Sequence, residues 1–266
     1  MELKNHAFFA KNQPRIHADT SLYLRQWCEQ ARALCVLLYA NDLVIAGAHL
    51  TDVDRVKAQL SNMFEIKDLG NLHYFLGIKV IHTPSRLLLA QCHYALNMLF
   101  KFEMIACKFV ATPLDHIEKL QNDSSPACDH LQFRQIIGSL IYLTITRPDL
   151  SYLVRLLSQF MQKPTATHMN CARHILRYVC GTLDCGLLYK KGGVFQLQGY
   201  TDADWAGDAI DRRSTSGFMF HLGSATISWS SKNQPTVSLS STEAEYRVAA
   251  VATCEAIWLK LLLKDM

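Results

Sequence analysis

The sequence predicts an α+β fold arranged in three segments, residues 1–110, 111–186 and 187–266. The first segment alternates apolar hairpins with an amphipathic helix, the second carries three helical apolar stripes, and the third places strands before one long helix. At 266 residues and 50% hydrophobic content, the chain is long enough for one large domain or two small ones, each with its own core.

The first segment opens with a hairpin over residues 32–47, where "LLYANDLVIAG" reads as apolar strand, polar turn and apolar strand. A helix follows, because apolar residues recur at helical spacing at Val53, Val56, Leu60 and Phe64. Thr51 and Asp54 resemble a capping box in which Asp replaces the usual Glu. The stretches "LHYFLGIKVIH" and "RLLLAQ", joined at "TPS", predict a second hairpin.

The second segment begins with a polar connecting loop, "ATPLDHIEKLQNDSSPACDH". Leu, Ile and Phe stripes then predict three helices, at residues 131–146, 149–162 and 165–180. Gly181 is expected to cap the last of them at its C-terminus. In the third segment, four apolar stretches predict strands, with a hairpin turn at Gly223-Ser224, and a final helix begins after Ser240.

Composition narrows the class of protein. The net charge of +4 and the pI near 8.5 are compatible with a polyanionic partner without requiring one. Nine Cys without a CxxC pair favour a reducing compartment, and Cys128 with His130 has no second pair at zinc-ligand spacing. A charged N-terminal stretch and the lack of a long apolar run lead us to expect an intracellular protein of the cytoplasm or nucleus, without a membrane span.

Three acidic positions are candidates for chemistry. Asp42 beside Asn41 in the hairpin turn is either a solvated turn former or part of a damaged metal site. Asp202 on a predicted strand and Glu245 on the predicted final helix could supply two of the carboxylates that hold a pair of cations ~4 Å apart in phosphoryl transfer. An Asp on a strand and a Glu on a helix prove little without the sequence around them.

The surrounding sequence supplies that context. The stretches "FEIKDLGNLHYFLGIKV", "FRQIIGSLIYLTITRPDLSYLVRLLSQFMQKPTATH" and "GYTDADWAGDAIDRRSTSGFMFHLGSATISWSSKNQPTVSLSSTEAEY", together with "LLYANDLVIAG", "HILRYVCGT" and "EAIWLK", resemble the Ty1/copia class of retrotransposon polyprotein. They run in the family's order from about residue 17 to the end. The resemblance implies a partial reverse-transcriptase palm (1–110), a helical thumb or connection region (111–186) and a truncated ribonuclease H-like α/β domain (187–266).

The resemblance implies a defective polymerase site. The family's hairpin motif is Tyr-Val-Asp-Asp, with both Asp residues holding metal, whereas this chain has Asn41 before Asp42. The family's other polymerase Asp lies upstream of the part matched here. An amide oxygen lacks the full charge of a carboxylate, so polymerase activity is not expected.

The resemblance also assigns the later acids. Asp202 matches the first ribonuclease H Asp and Glu245 the helix Glu that shares the metals, while the family's remaining Asp ligands follow "EAIWLK". Asp204 and Glu243 fall off the pattern and are expected to be surface or helix-start acids. Mg is the cofactor of the intact family, and its binding by this chain is doubtful.

Basic residues define the expected nucleic-acid surface. The resemblance places six of them along the path of the hybrid: Arg147, Arg173, Arg177, Arg212, Arg213 and Lys232. His174 and Cys180 stand where the family usually has Lys or Arg, which weakens that surface. The basic residues of the third helix could equally form an ordinary solvated face.

We therefore expect a catalytically inactive relative of reverse transcriptase and ribonuclease H that binds an RNA–DNA hybrid or another nucleic acid weakly. Two alternatives stay open. Another chain could complete a residual ribonuclease H, or the protein could serve as a nucleic-acid or protein interaction module.

Overall fold

The computed structural model describes residues 4–10, 34–39, 42–114, 120, 124–208 and 211–265. The predicted α+β class is confirmed, because helices and antiparallel strands both occur within this range. The described strands form three sheets, and a helical cluster contains the largest core.

The first sheet contains the predicted hairpin. Its strands are β1 (Lys4–Ala10), β2 (Leu34–Tyr39), β3 (Asp42–Gly47) and β4 (Ile66–Asn71), in the order β2-β3-β1-β4. Helix α1 (Leu50–Met63) packs Val53 and Val56 against Ile45. The helix begins after His49, which makes no side-chain cap, so the capping box predicted at Thr51 is wrong. β1 and β4 were not predicted.

The second sheet joins distant parts of the chain. Its strands are β5 (Tyr74–Phe75), β6 (Ile78–His82), β7 (Arg86–Ala90) and β8 (Leu187–Lys190), in that order. The predicted second hairpin is confirmed by the pairing of β6 with β7. β8 falls in the third predicted segment but pairs with β7 of the first. Gly186 permits the approach, because a Cβ there would lie 2.2 Å from the Leu89 carbonyl oxygen.

Four helices form the helical cluster. They are α2 (Cys92–Lys101), α3 (His130–Leu143), α4 (Ser151–Ser158) and α5 (Ala166–Gly181). Sequence reasoning missed α2, although Ala95, Met98 and Leu99 have helical spacing and are buried. Gly181 is the last residue of α5 rather than its cap, which is Thr182. A Cβ on Gly181 would lie 3.0 Å from the Phe109 Cβ, so close packing accounts for the glycine.

The third sheet and the last helix form two packed layers. β9 (Leu197–Asp204), β10 (Thr215–Leu222) and β11 (Ala225–Asn233) are ordered β11-β10-β9, and helix α6 (Ser241–Asp265) packs on β9 and β10. Phe220 is buried with Ala252 and Leu259 of α6. Gly223, with φ of 60°, makes the predicted turn. Neither α6 nor any other described helix is long and apolar enough to cross a membrane.

Candidate functional site

The polymerase-like turn is only partly described. Asn41 lies outside the described residues, so its prediction stays untested. Asp42 is the first residue of β3, where it is half-buried and pairs with Tyr39 of β2 and Phe9 of β1. This places one candidate carboxylate at the end of the hairpin.

The later candidate acids lie where several elements of the third sheet meet. Thr215, the first residue of β10, pairs with Asp204 at the end of β9 and with Asn233 at the end of β11. The start of α6 docks at the same end through Gln234. We call this region the sheet-end site and define it by eight residues: Asp202, Asp204, Arg212, Arg213, Lys232, Gln234, Glu243 and Glu245.

Gln234 holds the sheet-end site together. Its buried side chain donates from Nε2 to Ser216 Oγ at 3.0 Å and to the Ala244 carbonyl at 2.9 Å. Its Oε1 accepts a hydrogen bond from Ser238 Oγ at 2.7 Å. The backbone N–H of Gln234 also donates to the Ser214 carbonyl at 2.8 Å. One side chain therefore fixes the start of α6 against the start of β10, a role that a single Gln does not signal in the sequence.

Trp205 fixes the loop that follows β9. Its indole N–H donates to the Ser238 carbonyl at 3.1 Å, and the N–H of Ala206 donates to Ser214 Oγ at 3.2 Å. The first bond joins the loop after β9 to the segment that leads into α6, and the second joins it to the residue before β10. The "DADWAG" stretch thereby has a structural role in addition to the acid that it carries.

The structure does not aim Asp202 at α6. The β9–β10 register pairs Thr201 with Phe218 and Gly199 with Phe220, whose side chains pack toward α6. Because successive side chains on a strand point to opposite faces, Asp202 lies on the other face of the sheet. Glu245 is exposed on α6 itself. β9 and α6, which carry these two acids, are in contact, but Asp202 lies on the face of the sheet opposite α6.

The two neighbouring acids have local roles. A Cβ on Gly207 would lie 2.0 Å from Asp204 Oδ2, so the Asp204 carboxylate lies against the backbone there. Burial, and secondly the charge of Asp204, raises the pKa of Tyr152. Asp204 therefore lies on the side of the sheet near α4.

Glu243 is a helix-start acid, as the sequence predicts. Its carboxylate accepts a hydrogen bond from the Leu239 backbone N–H at 2.7 Å and pairs with Arg247 at 2.7 Å. The backbone hydrogen bond first, and then the bond from Arg247, lower the pKa of Glu243. Both partners favour the ionised carboxylate at the start of α6.

Arg147 is not available to a phosphate. It is 3% exposed, and its Nε and Nη2 contact the Asp149 carboxylate at 3.0 and 2.8 Å. Its Nη1 donates to the Thr182 carbonyl at 2.9 Å, and the guanidinium lies over the Tyr178 ring. The sequence assignment of Arg147 to nucleic-acid binding is therefore corrected to a structural one, because all of its donor faces are engaged within the helical cluster.

The basic face of α5 supports a segment that crosses it. Residues 103–114, which we call the strap, lie along α5, where Arg177 Nε donates to the Lys108 carbonyl at 2.7 Å. His174 Nε2 donates to the Thr112 carbonyl at 3.0 Å. Arg177 and His174 thus bind backbone carbonyls of the strap, whereas Arg173 is exposed.

The remaining basic candidates gather at the sheet-end site. Arg212, Arg213 and Lys232 are exposed, and Lys232 pairs across the strands with Ser216. Arg213 also forms an ion pair with Asp211 at 3.3 Å. Positive and negative side chains therefore alternate around one end of the third sheet.

The donor set does not fit a two-metal centre. Among the described residues, no group of three or more His, Cys, Asp or Glu side chains gathers where it could hold a metal ion. A pair of divalent cations needs several converging carboxylates. Asp42, Asp202 and Glu245 thus remain separate acids within the described part of the chain.

Comparison with known proteins gives a family model for the first segment and individual relatives for nearly the whole chain. Residues 3–116 match the family model described as "Reverse transcriptase (RNA-dependent DNA polymerase)". The chain is 43% identical over 251 residues to the retrovirus-related Pol polyprotein from transposon RE2 of Arabidopsis thaliana, covering 94% of this chain and 17% of that one. It is 36% identical over 271 residues to the corresponding polyprotein from transposon TNT 1-94 of Nicotiana tabacum, covering 97% and 20%.

A shorter relative is matched over nearly its whole length. An uncharacterized mitochondrial protein of Arabidopsis thaliana is 45% identical over 225 residues, covering 84% of this chain and 93% of the relative. The chain belongs to the reverse-transcriptase family of Ty1/copia-type retrotransposon Pol polyproteins. It spans 17% of the RE2 polyprotein, so it corresponds to one part of that Pol protein. No solved structure matches the chain.

Proposed function

We propose that this Ty1/copia-type chain binds an RNA–DNA hybrid through the sheet-end site and does not turn it over. The observation that carries the proposal is the composition of that site, where Arg212, Arg213 and Lys232 are exposed beside acids that do not converge into a metal centre. Exposed cations at one end of a sheet attract a phosphate backbone, because binding releases its condensed counterions.

The polymerase part of the proposal rests on the hairpin turn. Asn41 replaces a carboxylate of the family motif, and two unit charges at close range attract by roughly 4 kcal/mol at an effective dielectric near 20. A neutral amide forgoes most of that attraction for a cation. We therefore propose that Asp42 alone does not assemble a polymerase metal pair.

Primer extension tests this part. The 266-residue chain, given primer, template, nucleotides and Mg, should extend no more than a reaction without protein. Asn41→Asp restores one carboxylate and should not restore extension. Extension by the unmodified chain would refute the polymerase part of the proposal, and extension by Asn41→Asp alone would show that the amide is its single defect.

The ribonuclease H-like assignment of residues 187–266 is part of the same proposal. It is supported by the "YTDADWAG" and "TEAEY" stretches on β9 and α6, and by the packing of α6 on that strand. Mg would need more ligands than Asp202 and Glu245. Among the described residues, no group of three or more His, Cys, Asp or Glu side chains could provide them. No catalytic step is therefore assigned to this chain.

A specific observation favours a second candidate function, a ribonuclease H completed by another chain. The side of α6 away from the sheet exposes large apolar residues: Tyr246, Ile257, Trp258 and Leu261. Within the described residues, β9 is also an edge strand of its sheet. An exposed apolar helix face beside an open strand edge favours association.

Light scattering after size exclusion distinguishes the two candidates. Association through this surface predicts a mass above 30.1 kDa that falls to the monomer mass in Trp258→Lys. The matched control is Lys260→Ala, an exposed α6 position where no change is expected. A monomer at all concentrations would remove the support for a completing chain and leave the binding proposal intact.

A further inference from the structure

The strap carries a second feature that the nucleic-acid site does not use. Cys107 lies in the strap between Ile105 and Lys108, and both of those residues contact α5. Cys180, near the end of α5, donates from Sγ to the Ile105 carbonyl at 3.7 Å. The strap therefore brings Cys107 of the first segment near Cys180 of the second.

The two cysteines lie where the strap meets α5. Cys107 is the second residue after Ile105, whose carbonyl accepts from Cys180 Sγ, and both cysteines are only partly buried. The backbone of Cys107 is also fixed within the strap, because its N–H donates to the Met104 carbonyl at 3.3 Å. Phe109 against Gly181 and Arg177 on Lys108 keep the strap in this register.

We propose that Cys107 and Cys180 form a reversible disulfide that locks the strap onto α5 when the thiol pool becomes oxidising. Two cysteines on neighbouring, well-anchored elements meet the first requirement of a disulfide, since cysteines held far apart cannot join without backbone movement. The disulfide would link the strap covalently to α5. It involves no residue of the sheet-end site.

Glutathione disulfide is the oxidant class in this proposal. The Cys107 thiolate attacks it, forms a mixed disulfide and releases one glutathione thiolate, which takes up the proton lost by Cys107. The Cys180 thiol then loses its proton, attacks the Cys107 sulfur and displaces the second glutathione, which takes up that proton. The chain loses two electrons, and one glutathione disulfide becomes two glutathione molecules.

The surroundings of Cys107 make the exchange pH-dependent. Burial and the neighbouring Cys180 raise the pKa of Cys107, while the Arg177 guanidinium opposes that rise. Thiolate is the attacking form, so the exchange should accelerate as pH rises.

Peptide mapping of the oxidised full chain tests the proposal. After equilibration with glutathione disulfide and acid quenching, trypsin without reductant should release residues 102–108 linked to residues 178–190. The second peptide also contains Cys185, which is exposed, so Cys185→Ser is the matched control. The linked pair should persist in Cys185→Ser and disappear in both Cys107→Ser and Cys180→Ser.

Two results would overturn the proposal. One is glutathione adducts on both cysteines with no linked peptide at any ratio of oxidised to reduced glutathione. The other is a linked pair that survives in Cys180→Ser, which would assign the bond to Cys185. Trypsin cleavage after Lys108 in the folded chain gives an independent readout, because it should slow on oxidation and recover with reductant only where the linked pair forms.

Discussion

Gln234 donates a hydrogen bond to the carbonyl of Ala244 at 2.9 Å and thereby joins the end of β11 to the first turn of α6. Gln234 directly follows β11 and Ala244 lies in α6, so this bond helps to fix how the helix packs on the sheet. The acids and bases of the sheet-end site depend on that placement.

Gln234→Ala should therefore destabilise the fold by about 2–3 kcal/mol, since the buried Ser238 and Ala244 and the partly buried Ser216 each lose a hydrogen bond. Urea unfolding measures the change. Gln196→Ala, at an exposed position, is the control and should stay within about 0.5 kcal/mol of the unmodified chain. Equal stability of both variants would mean that the Gln234 network does not hold α6.

Glu243→Gln should make stability less dependent on acid pH. The folded-state pKa of Glu243 lies below its ordinary value, because the Leu239 N–H and Arg247 favour the carboxylate. A depressed pKa contributes stability above the unfolded-state pKa, and that contribution is lost as pH falls through the folded-state pKa. The melting temperatures of Glu243→Gln and the unmodified chain should thus differ at pH 7 and converge in acid.

The matched control for this pH dependence is Glu245→Gln. Glu245 is exposed one turn into the same helix and has no described hydrogen-bond partner in common with Glu243. Its variant should melt in parallel with the unmodified chain across the range. A gap between Glu243→Gln and the unmodified chain that persists below the pKa of Glu243 would argue against the assigned role.

Arg147→Ala should unfold the helical cluster more readily without touching nucleic-acid affinity. Breaking a buried ion pair costs about 3–5 kcal/mol, and we expect about 2–3 kcal/mol because Asp149 is itself 40% exposed. Urea unfolding gives the stability, and hybrid binding at a temperature where both proteins are folded gives the affinity. A selective loss of binding at unchanged stability would restore the original assignment of Arg147.

The salt dependence of hybrid binding locates the interface. If about three phosphates are engaged, log affinity against log salt should slope near −2 to −3. Replacing Arg212 and Lys232 together with Gln should bring the slope about 2 units closer to zero, whereas Lys190→Gln, on β8 of the second sheet, should not change it. Fluorescence anisotropy over a salt series measures both. An unaltered slope in the double variant would place the hybrid elsewhere.

The sequence predicted the elements whose signals are local. The hairpin ending in β3, the β6–β7 hairpin and the turn at Gly223 follow from apolar runs and turn residues that neighbour each other in the chain. The pairing of β8 with β7 joins strands nearly a hundred residues apart, and no local pattern encodes such a partner.

The candidate site was predicted less completely than the fold. The family motifs identified Asp202 and Glu245, but strand alternation directs Asp202 away from α6, which depends on the register with β10. The resemblance placed Arg147 along the path of the hybrid, and its burial follows instead from partners brought in by the tertiary fold. Gln234 had no sequence signal, since a Gln gains its role only from what surrounds it.

Binding without turnover is tested by measuring the binding and the cleavage of one RNA–DNA hybrid in the same Mg-containing reaction. We expect a retained, salt-sensitive complex and a cleavage rate that equals the rates of Asp202→Asn and of a reaction without protein. Mg-dependent cleavage that is present in the unmodified chain and absent in Asp202→Asn would contradict it.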